Sequence, residues 1–327
     1  MKRRSLLAAA GSAAAIPSWS FAQSTLRRVA VLVSAAESDP EGQARILGLR
    51  QGLKELGWVE GQNMQMDVRF AAGNPQRIQE SIAALVATKP DVIAVNSTPA
   101  LDAAHKATKS IPIVIMLAVD PVRLGYVDSL AHPGGNITGF SFYDADLIGK
   151  WVQLLKEASP SLSHATIVHN PANTPFYPKL VSAAETLSGM PNVALRIAAF
   201  DNVTNIDRTI SEAARQAGGS VIVPSDPFNL NHRAEIATAA IRHHLPLISI
   251  FPSFARSGAL LTYGPDTTDI YRKSASYVDR ILRGARPAEL PVQAPTRYEL
   301  MINLKTAAAL GLTLPPSILA RADEVIE

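Results

Sequence analysis

Short apolar segments of strand-like composition alternate with amphipathic helical segments from Arg27 onward. Several of the apolar segments are uninterrupted runs, which is typical of strands covered on both faces of a sheet. Strands that alternate with helices form parallel βαβ units, so the sequence predicts an α/β protein. We predict strands at Val29–Ser34, Met64–Phe70, Val92–Val95, Ile113–Leu117, Ile137–Phe140, Ala165–His169, Ala194–Ala199, Val221–Pro224, Leu247–Ile250 and Ala259–Tyr263.

The helical segments between these strands carry recognisable starts and stops. In Glu41–Leu56 the apolar residues recur at helical spacing, and Gly57 supplies a C-terminal stop. Asn74-Pro75 has the residue types of an N-cap and a first helical position. Further helices are predicted at Asp146–Ala158, Lys179–Leu187, Ile206–Ala217, His232–His243 and Tyr271–Leu282.

About ten strands in 327 residues exceed one comfortable doubly wound domain. We therefore predict two doubly wound parallel-sheet lobes joined by a three-segment hinge. The glycine-rich turn within Ala131–Gly139 marks the first predicted crossing, Tyr263–Pro265 the second, and the proline-rich Arg286–Thr296 a third. The predicted first lobe comprises residues 26–138 and 265–291, and the second comprises residues 139–264 and 292–327.

The N-terminus has the layout of an export signal. Lys2, Arg3 and Arg4 precede an apolar run, Leu6–Ile16, and small residues precede a cleavage position after Ala22. We predict that residues 1–22 are a cleaved signal peptide, used by the twin-arginine or the general secretory route. The alternative is an ordinary amphipathic first helix.

Composition excludes several classes of function. The chain has 31 basic and 28 acidic residues, and three of the basic ones lie in the predicted signal peptide, so the mature chain is predicted to be neutral. This removes the main electrostatic reason to expect a nucleic-acid partner. The chain has no cysteine, which excludes disulfides, a lipid-anchored N-terminus, thiol catalysis and thiolate metal sites.

Polar residues cluster where the predicted strands end. In open parallel sheets, ligands bind beyond the carboxyl ends of the strands. The candidate ligand-binding residues there are Ser34, Ser97, Thr98, Asp120, Thr138, Asn170, Asn173, Thr174, Ser225, Asp226 and Phe251. Each has a structural alternative, because serine and threonine cap helices and Asp-Pro pairs start turns. For Thr138, which follows a glycine-rich turn, the structural alternative is the stronger one.

Signatures of enzymes are missing from the sequence. It contains no G-x-S-x-G, no G-x-G-x-x-G and no phosphate-binding G-x-x-x-x-G-K-[ST]. The seven histidines are scattered, so we predict no metal site and no cofactor. A Ser–His–Asp set assembled in space remains an alternative, but the prediction is a binding protein with no catalytic residues.

Five long stretches carry a family resemblance that runs from Arg27 to the C-terminus. The chain resembles the ABC transporter substrate-binding proteins, a family that includes aromatic amino acid-binding members and has the type 1 periplasmic binding protein fold. The stretches are Gly52–Asn63, Ser97–Val114, Asp120–Gly139, Tyr277–Leu312 and Pro315–Glu327. The resemblance implies two α/β lobes with three crossings that close on a small molecule.

The resemblance also implies roles for individual loops. Ser97-Thr98-Pro99 matches the loop that receives an acidic group of the ligand, and Asp120-Pro121 and Ser225-Asp226 match loops that face the cleft. His169–Pro175 departs from the amino acid-binding relatives, which carry an acid and an Asn-Ser pair in this loop. The ligand is therefore expected to be a small organic carboxylate or an amino acid-like molecule.

The predicted function is a soluble periplasmic receptor, acting as a monomer, that delivers its solute to the permease and ATPase subunits of an ABC importer in the inner membrane. One alternative is a periplasmic ligand-sensing module of a membrane receptor. The other is an exported hydrolase.

Overall fold

A computed structural model describes residues 26–186 and 192–327. The predicted signal peptide lies outside the described residues, as does Leu187 at the end of one predicted helix. Among the described residues, no helix is long and apolar enough to cross a membrane.

The first half of the chain builds a five-stranded sheet. All its strands are parallel, in the order β2-β1-β3-β4-β5. The elements are β1 (Arg27–Val33), α1 (Pro40–Glu55), β2 (Met64–Phe70), α2 (Pro75–Ala87), β3 (Val92–Val95), α3 (Thr98–Ala107), β4 (Ile113–Ala118) and β5 (Ile137–Ser141).

Both faces of this sheet are covered, because the side chains of a strand point alternately to opposite sides. Val31 packs in one core cluster with Leu49 of α1. Its neighbour Leu32 packs in the other cluster, with Ile78 of α2 and Leu101 of α3. The uninterrupted apolar run of β1 thus fills two cores at once.

The second sheet has seven strands in the order β12-β11-β10-β9-β8-β6-β7. The β10–β11 pair is antiparallel, and the other pairs are parallel. Its elements and the returning helix α10 are α4 (Ala145–Ala158), β6 (His164–His169), α5 (Tyr177–Glu185), β7 (Ala194–Ala199), α6 (Ile206–Ala213), β8 (Gly219–Val223), α7 (Pro227–Asn231), α8 (Arg233–Arg242), β9 (Leu247–Ser249), α9 (Pro252–Arg256), β10 (Leu261–Pro265), α10 (Thr267–Leu282), β11 (Tyr298–Asn303), α11 (Leu304–Ala309), α12 (Pro316–Leu319) and β12 (Glu324–Ile326).

The prediction of two α/β lobes built on parallel sheets is confirmed, and each predicted strand has a counterpart. Strands β11 and β12 were not predicted. They extend the second sheet at the edge beyond β10, and both run antiparallel to the other five strands.

The chain passes between the lobes at slightly different places from those predicted. The glycine-rich turn around residue 134 leads into β5 and is not a crossing, because β5 stays in the first sheet as far as Ser141. Gln293 also belongs beside β5, since its N–H donates to Gly139 O at 2.9 Å and its carbonyl oxygen accepts from Ser141 N at 2.8 Å. The chain therefore crosses to the second lobe after Ser141, returns to the first lobe after β10, and crosses again after Gln293. Between the last two crossings, α10 packs along α1.

Gly139 of β5 has a conformation that only glycine adopts without strain. Its φ is 124°, and an added Cβ would overlap the carbonyl oxygen of Ile115 in β4. We expect Gly139→Ala to lower the free energy of unfolding by about 2 to 4 kcal/mol in urea denaturation, from backbone strain and overpacking together.

The matched control is Gly135→Ala, since a Cβ at Gly135 meets nothing within 4 Å. That variant should unfold like the wild type. Equal stabilities for the two variants would contradict the strain assigned to Gly139.

Candidate ligand-binding site

The loops at the carboxyl ends of the two sheets meet across a narrow cleft. Asn231 Oδ1, at the end of α7, accepts a hydrogen bond from Ala36 N, after β1, at 3.0 Å. Asn173 Nδ2, after β6, donates to Gly73 O, after β2, at 3.0 Å. The lobes are therefore in a closed arrangement, held partly by backbone groups of the first lobe.

Charged groups add to this contact between the lobes. Arg233 of α8 forms an ion pair with Asp39, the N-cap residue of α1, at 2.7 Å, and the Asp39 side chain is almost fully buried. The guanidinium of Arg45 lies 5.1 Å from the ring centroid of Phe251, which follows β9. A cation over an aromatic face is attracted by the ring quadrupole, so this pair also favours closure.

On the first-lobe side, the predicted hydroxyl residues lie together at the start of α3. Ser97 Oγ is 2.6 Å from Ser34 Oγ and accepts from Ala100 N at 3.2 Å, which makes Ser97 the N-cap residue of α3. Thr98 Oγ1 accepts from Val119 N at 3.0 Å. Ser97 therefore caps α3, and both Ser97 and Thr98 lie at the first-lobe side of the cleft.

On the second-lobe side, Asp226 organises the loops. Its carboxylate accepts from Asn170 N at 2.6 Å, Thr174 Oγ1 at 2.8 Å and Phe228 N at 2.7 Å, and it caps α7. The residue is only 1% exposed. Burial raises the pKa of Asp226 to about 6, and the hydrogen bonds from Asn170, Thr174 and Phe228 act in the opposite direction.

Two adjoining cavities lie between the lobes. The larger has a volume of about 260 Å³ and the smaller about 130 Å³, and both are lined by Leu124 and Phe176. The remaining lining residues of the larger are Pro75, Ile78, Gln79, Thr98, Pro99, Asp102, Lys106, Tyr126, Ala172, Asn173 and Pro175. Those of the smaller are Val119, Asp120, Arg123, Lys179 and Leu180.

Three of the predicted site residues line these cavities: Thr98, Asn173 and Asp120. The structure places Ser34 and Ser97 beside Thr98, and Asn170, Thr174 and Asp226 behind Asn173. The carbonyl oxygen of Ser225 accepts from Tyr177 Oη at 2.7 Å, and Phe251 packs near Phe142 with ring centroids 5.7 Å apart; neither Ser225 nor Phe251 lines the two cavities.

Thr138 is a correction to the predicted site. It pairs with Val114, near the amino end of β4, so it lies away from the carboxyl ends of the strands. It is fully buried, and its hydroxyl donates to Leu290 O at 2.5 Å. Its role is to tie β5 to the segment that returns from α10.

Sequence reasoning missed the residues whose partners are distant in sequence. Phe176 and Tyr126 line the larger cavity, and Asn231 bridges the lobes, yet none directly follows a strand. Asn96 does follow β3, and its Oδ1 accepts from Ser34 N at 2.8 Å. Its position at a strand end marks Asn96 in the sequence, although Asn96 is not among the candidate residues.

A histidine, a threonine and an acid do meet in the second lobe, but not in a catalytic order. Thr174 Oγ1 lies 3.2 Å from His169 Nδ1 and 2.8 Å from Asp226 Oδ2, so the acid contacts the hydroxyl and not the imidazole. In a catalytic triad the acid orients the imidazole. Thr174 is 1% exposed, and burial lowers the pKa of His169. Among the described residues no group of three histidine or acidic side chains could hold a metal ion.

A cleft lined by residues of two lobes is the kind of site expected in the protein family that this chain matches. Residues 28–326 match the family model described as "ABC transporter substrate binding protein". The chain belongs to this family. The resemblance noted from the sequence is thereby confirmed, and the family consists of solute-binding proteins rather than enzymes.

Individual relatives share both sequence and fold. The chain is 27% identical over 274 residues to a tyrosine-binding protein of Clostridioides difficile, covering 81% of this chain and 76% of that protein. A conserved domain protein of Vibrio cholerae is 30% identical, with a TM-score of 0.83, over 92% of this chain and 100% of the other. A Streptococcus pneumonia ABC domain solved with L-Trp is 23% identical, with a TM-score of 0.82 and the same coverages, and shows the same fold.

The buried carboxyl of Asp226 gives a pH dependence of stability with a defined sign. Its folded-state pKa of about 6 lies above the ordinary value of 3.8, so the folded protein holds this proton more tightly than the unfolded chain. The resulting stabilisation is complete below pH 3.8 and is lost as the pH rises through 6. Asp226→Asn removes this titration.

We therefore expect the unfolding free energy of Asp226→Asn, relative to wild type, to rise by about 2.4 kcal/mol between pH 4 and pH 7. Urea denaturation at a series of pH values measures it. A difference between the two proteins that stays constant with pH would show that Asp226 does not carry this proton.

Proposed function

We propose that this protein is an exported, soluble receptor that closes its two lobes on a small organic solute and delivers it to the permease and ATPase subunits of an ABC importer. The observation that carries the proposal is the larger cavity, because residues of both lobes line it: Thr98 and Tyr126 on one side, Asn173 and Phe176 on the other. A ligand held there contacts both lobes, and only such a ligand favours the closed state.

The two walls offer complementary chemistry to an anionic solute. The start of α3 carries backbone N–H groups and the hydroxyls of Ser97 and Thr98, and the N-terminus of a helix attracts negative charge. The opposite wall supplies an aromatic ring and an amide. We assign the acidic group of the solute to the Ser97–Thr98 side.

The N-terminal sequence and the family support export and a periplasmic location. The proposed signal peptide, residues 1–22, directs the chain to the periplasm, where the mature protein acts as a monomer, because one two-lobed chain encloses one ligand.

The proposed lobe boundaries lie where the chain passes between the two sheets, after residue 141, near residue 266 and after residue 293.

The test begins with protein from Gln23 onward, unfolded and refolded to strip any bound solute. A thermal-shift panel contains amino acids, with L-tyrosine first because of the tyrosine-binding relative, together with aromatic and aliphatic carboxylates and sugars. A solute at 100 times its dissociation constant stabilises the folded protein by about 2.7 kcal/mol, which is a readable rise in Tm.

For the solute found, we expect Ser97→Ala to weaken binding by roughly tenfold or more, because a hydrogen bond to a charged group is lost. The control is Ser276→Ala, an exposed serine of α10, which should bind like the wild type. If no compound of the panel raises Tm and the protein hydrolyses a generic ester or amide, the receptor is contradicted and a hydrolase is favoured.

A further inference from the structure

The acidic side chains around the cleft already have ion-pair or hydrogen-bond partners within the protein. Two acids line the cavities, and each has a basic partner close in sequence: Asp102 with Lys106 at 2.6 Å, and Asp120 with Arg123 at 2.8 Å. Asp226 is closed off behind the second-lobe wall by three hydrogen bonds. An ammonium group entering the cleft therefore meets carboxylates whose charge is already balanced by a neighbouring base.

The positive charge of the cleft exceeds the negative charge. Lys179 of α5 lines the smaller cavity together with Arg123 and Asp120. Among the described residues Lys179 has no ion-pair partner, whereas Lys106 and Arg123 have theirs. Counting the lining residues of both cavities, three bases stand against two acids, and the N-terminus of α3 adds to the positive side.

Among the described residues, the second lobe lines the two cavities with one amide, Asn173, and no acid. Asn173 is 3% exposed, and its Oδ1 is buried without a hydrogen-bond partner in the described part of the chain. An ammonium group has three N–H donors and a full charge, and a single neutral oxygen does not offset the loss of its hydration.

Both lobes contribute apolar side chains to the larger cavity, beside the polar Gln79, Thr98 and Tyr126. Ile78 of α2, Leu124, Pro175 and Phe176 form its walls, and Phe176 also lines the smaller cavity. Such walls accommodate an aromatic or branched aliphatic body, as ligand pockets with few polar groups usually do.

We infer that the cleft selects a carboxylic acid with an aromatic or aliphatic body and without a free α-ammonium group. This inference rests on the proposed function and narrows its solute class. The carboxylate binds on the Ser97–Thr98 side, and the apolar body lies against Ile78 and Phe176.

The test compares three pairs of compounds that differ only in the α-ammonium group, by titration calorimetry on the refolded mature chain. The pairs are L-tyrosine and 3-(4-hydroxyphenyl)propanoate, L-phenylalanine and 3-phenylpropanoate, and L-leucine and 4-methylpentanoate. In at least one pair the compound without the ammonium group should bind ten times more tightly or better, and in no pair should the order be reversed.

A second arm tests the charge balance. Lys179→Gln should weaken binding of the preferred acid about threefold or more. Lys109→Gln is the control, since Lys109 contacts His105 and does not line either cavity. Equal affinities for Lys179→Gln and wild type would contradict the part given to Lys179.

The outcomes separate the inference from the function on which it rests. An amino acid that binds as tightly as its partner compound, or more tightly, overturns the inference and leaves the receptor standing. Binding of a sugar with no response to any of the six acids does the same. No response to any solute class contradicts the receptor as well.

Discussion

Parallel strands place all their carboxyl ends at one edge of a sheet, and the arrangement of this molecule depends on that constraint. In the first lobe the edge brings together the residues after β1, β3 and β4, including Ser34, Ser97 and Val119. In the second lobe it brings together the residues after β6 and β8, where Asn170 meets Asp226. Because the chain crosses between the sheets at the end of β5 and again at the end of β10, the two edges face each other.

Closure uses groups that would otherwise be hydrated. The side chains of Asn231 and Asn173 bond to backbone groups of the opposite lobe, and the Arg233–Asp39 ion pair is partly removed from water. Each contact exchanges hydration for a protein partner, so its net contribution is small, on the order of 1 kcal/mol. Because the sum of these contributions is modest, the closed state is sensitive to the extra contacts that a ligand adds, which suits a solute-binding protein.

Periodicity was enough to predict most strands of the two sheets. A short apolar run such as Val92–Val95, placed between amphipathic helices, is typical of a buried parallel strand. Periodicity failed for β11 and β12, because β11 pairs antiparallel and β12 is three largely exposed residues at the edge of the sheet. The glycine-rich turn at residue 134 has the composition of a crossing, yet it only redirects the chain within one lobe. A local pattern does not say in which sheet the following strand pairs.

The site was predictable where the polar residue follows a strand directly, as Ser97 does. Asp226 was correctly placed at a strand end, but its three internal hydrogen bonds come from residues that tertiary structure supplies. Asn231 carries no signal in the sequence, because its importance arises only when the lobes meet. Thr138 was wrongly predicted to bind ligand because it is a polar residue near a turn. Its hydroxyl instead donates to the backbone carbonyl of Leu290, in the segment that follows α10.

Closure of the two lobes around a solute can be measured directly. The chain has no cysteine, so a pair of introduced cysteines takes spin labels at defined places. Glu80→Cys on α2 and Thr204→Cys ahead of α6 are exposed positions on opposite lobes, away from the cavities. We would measure the distance distribution between the labels by pulsed electron resonance, with and without a solute that raises Tm. We expect a broad distribution with longer distances in the free protein and one shorter distance, matching this structure, with saturating solute. A distribution that the solute leaves unchanged would contradict this closure.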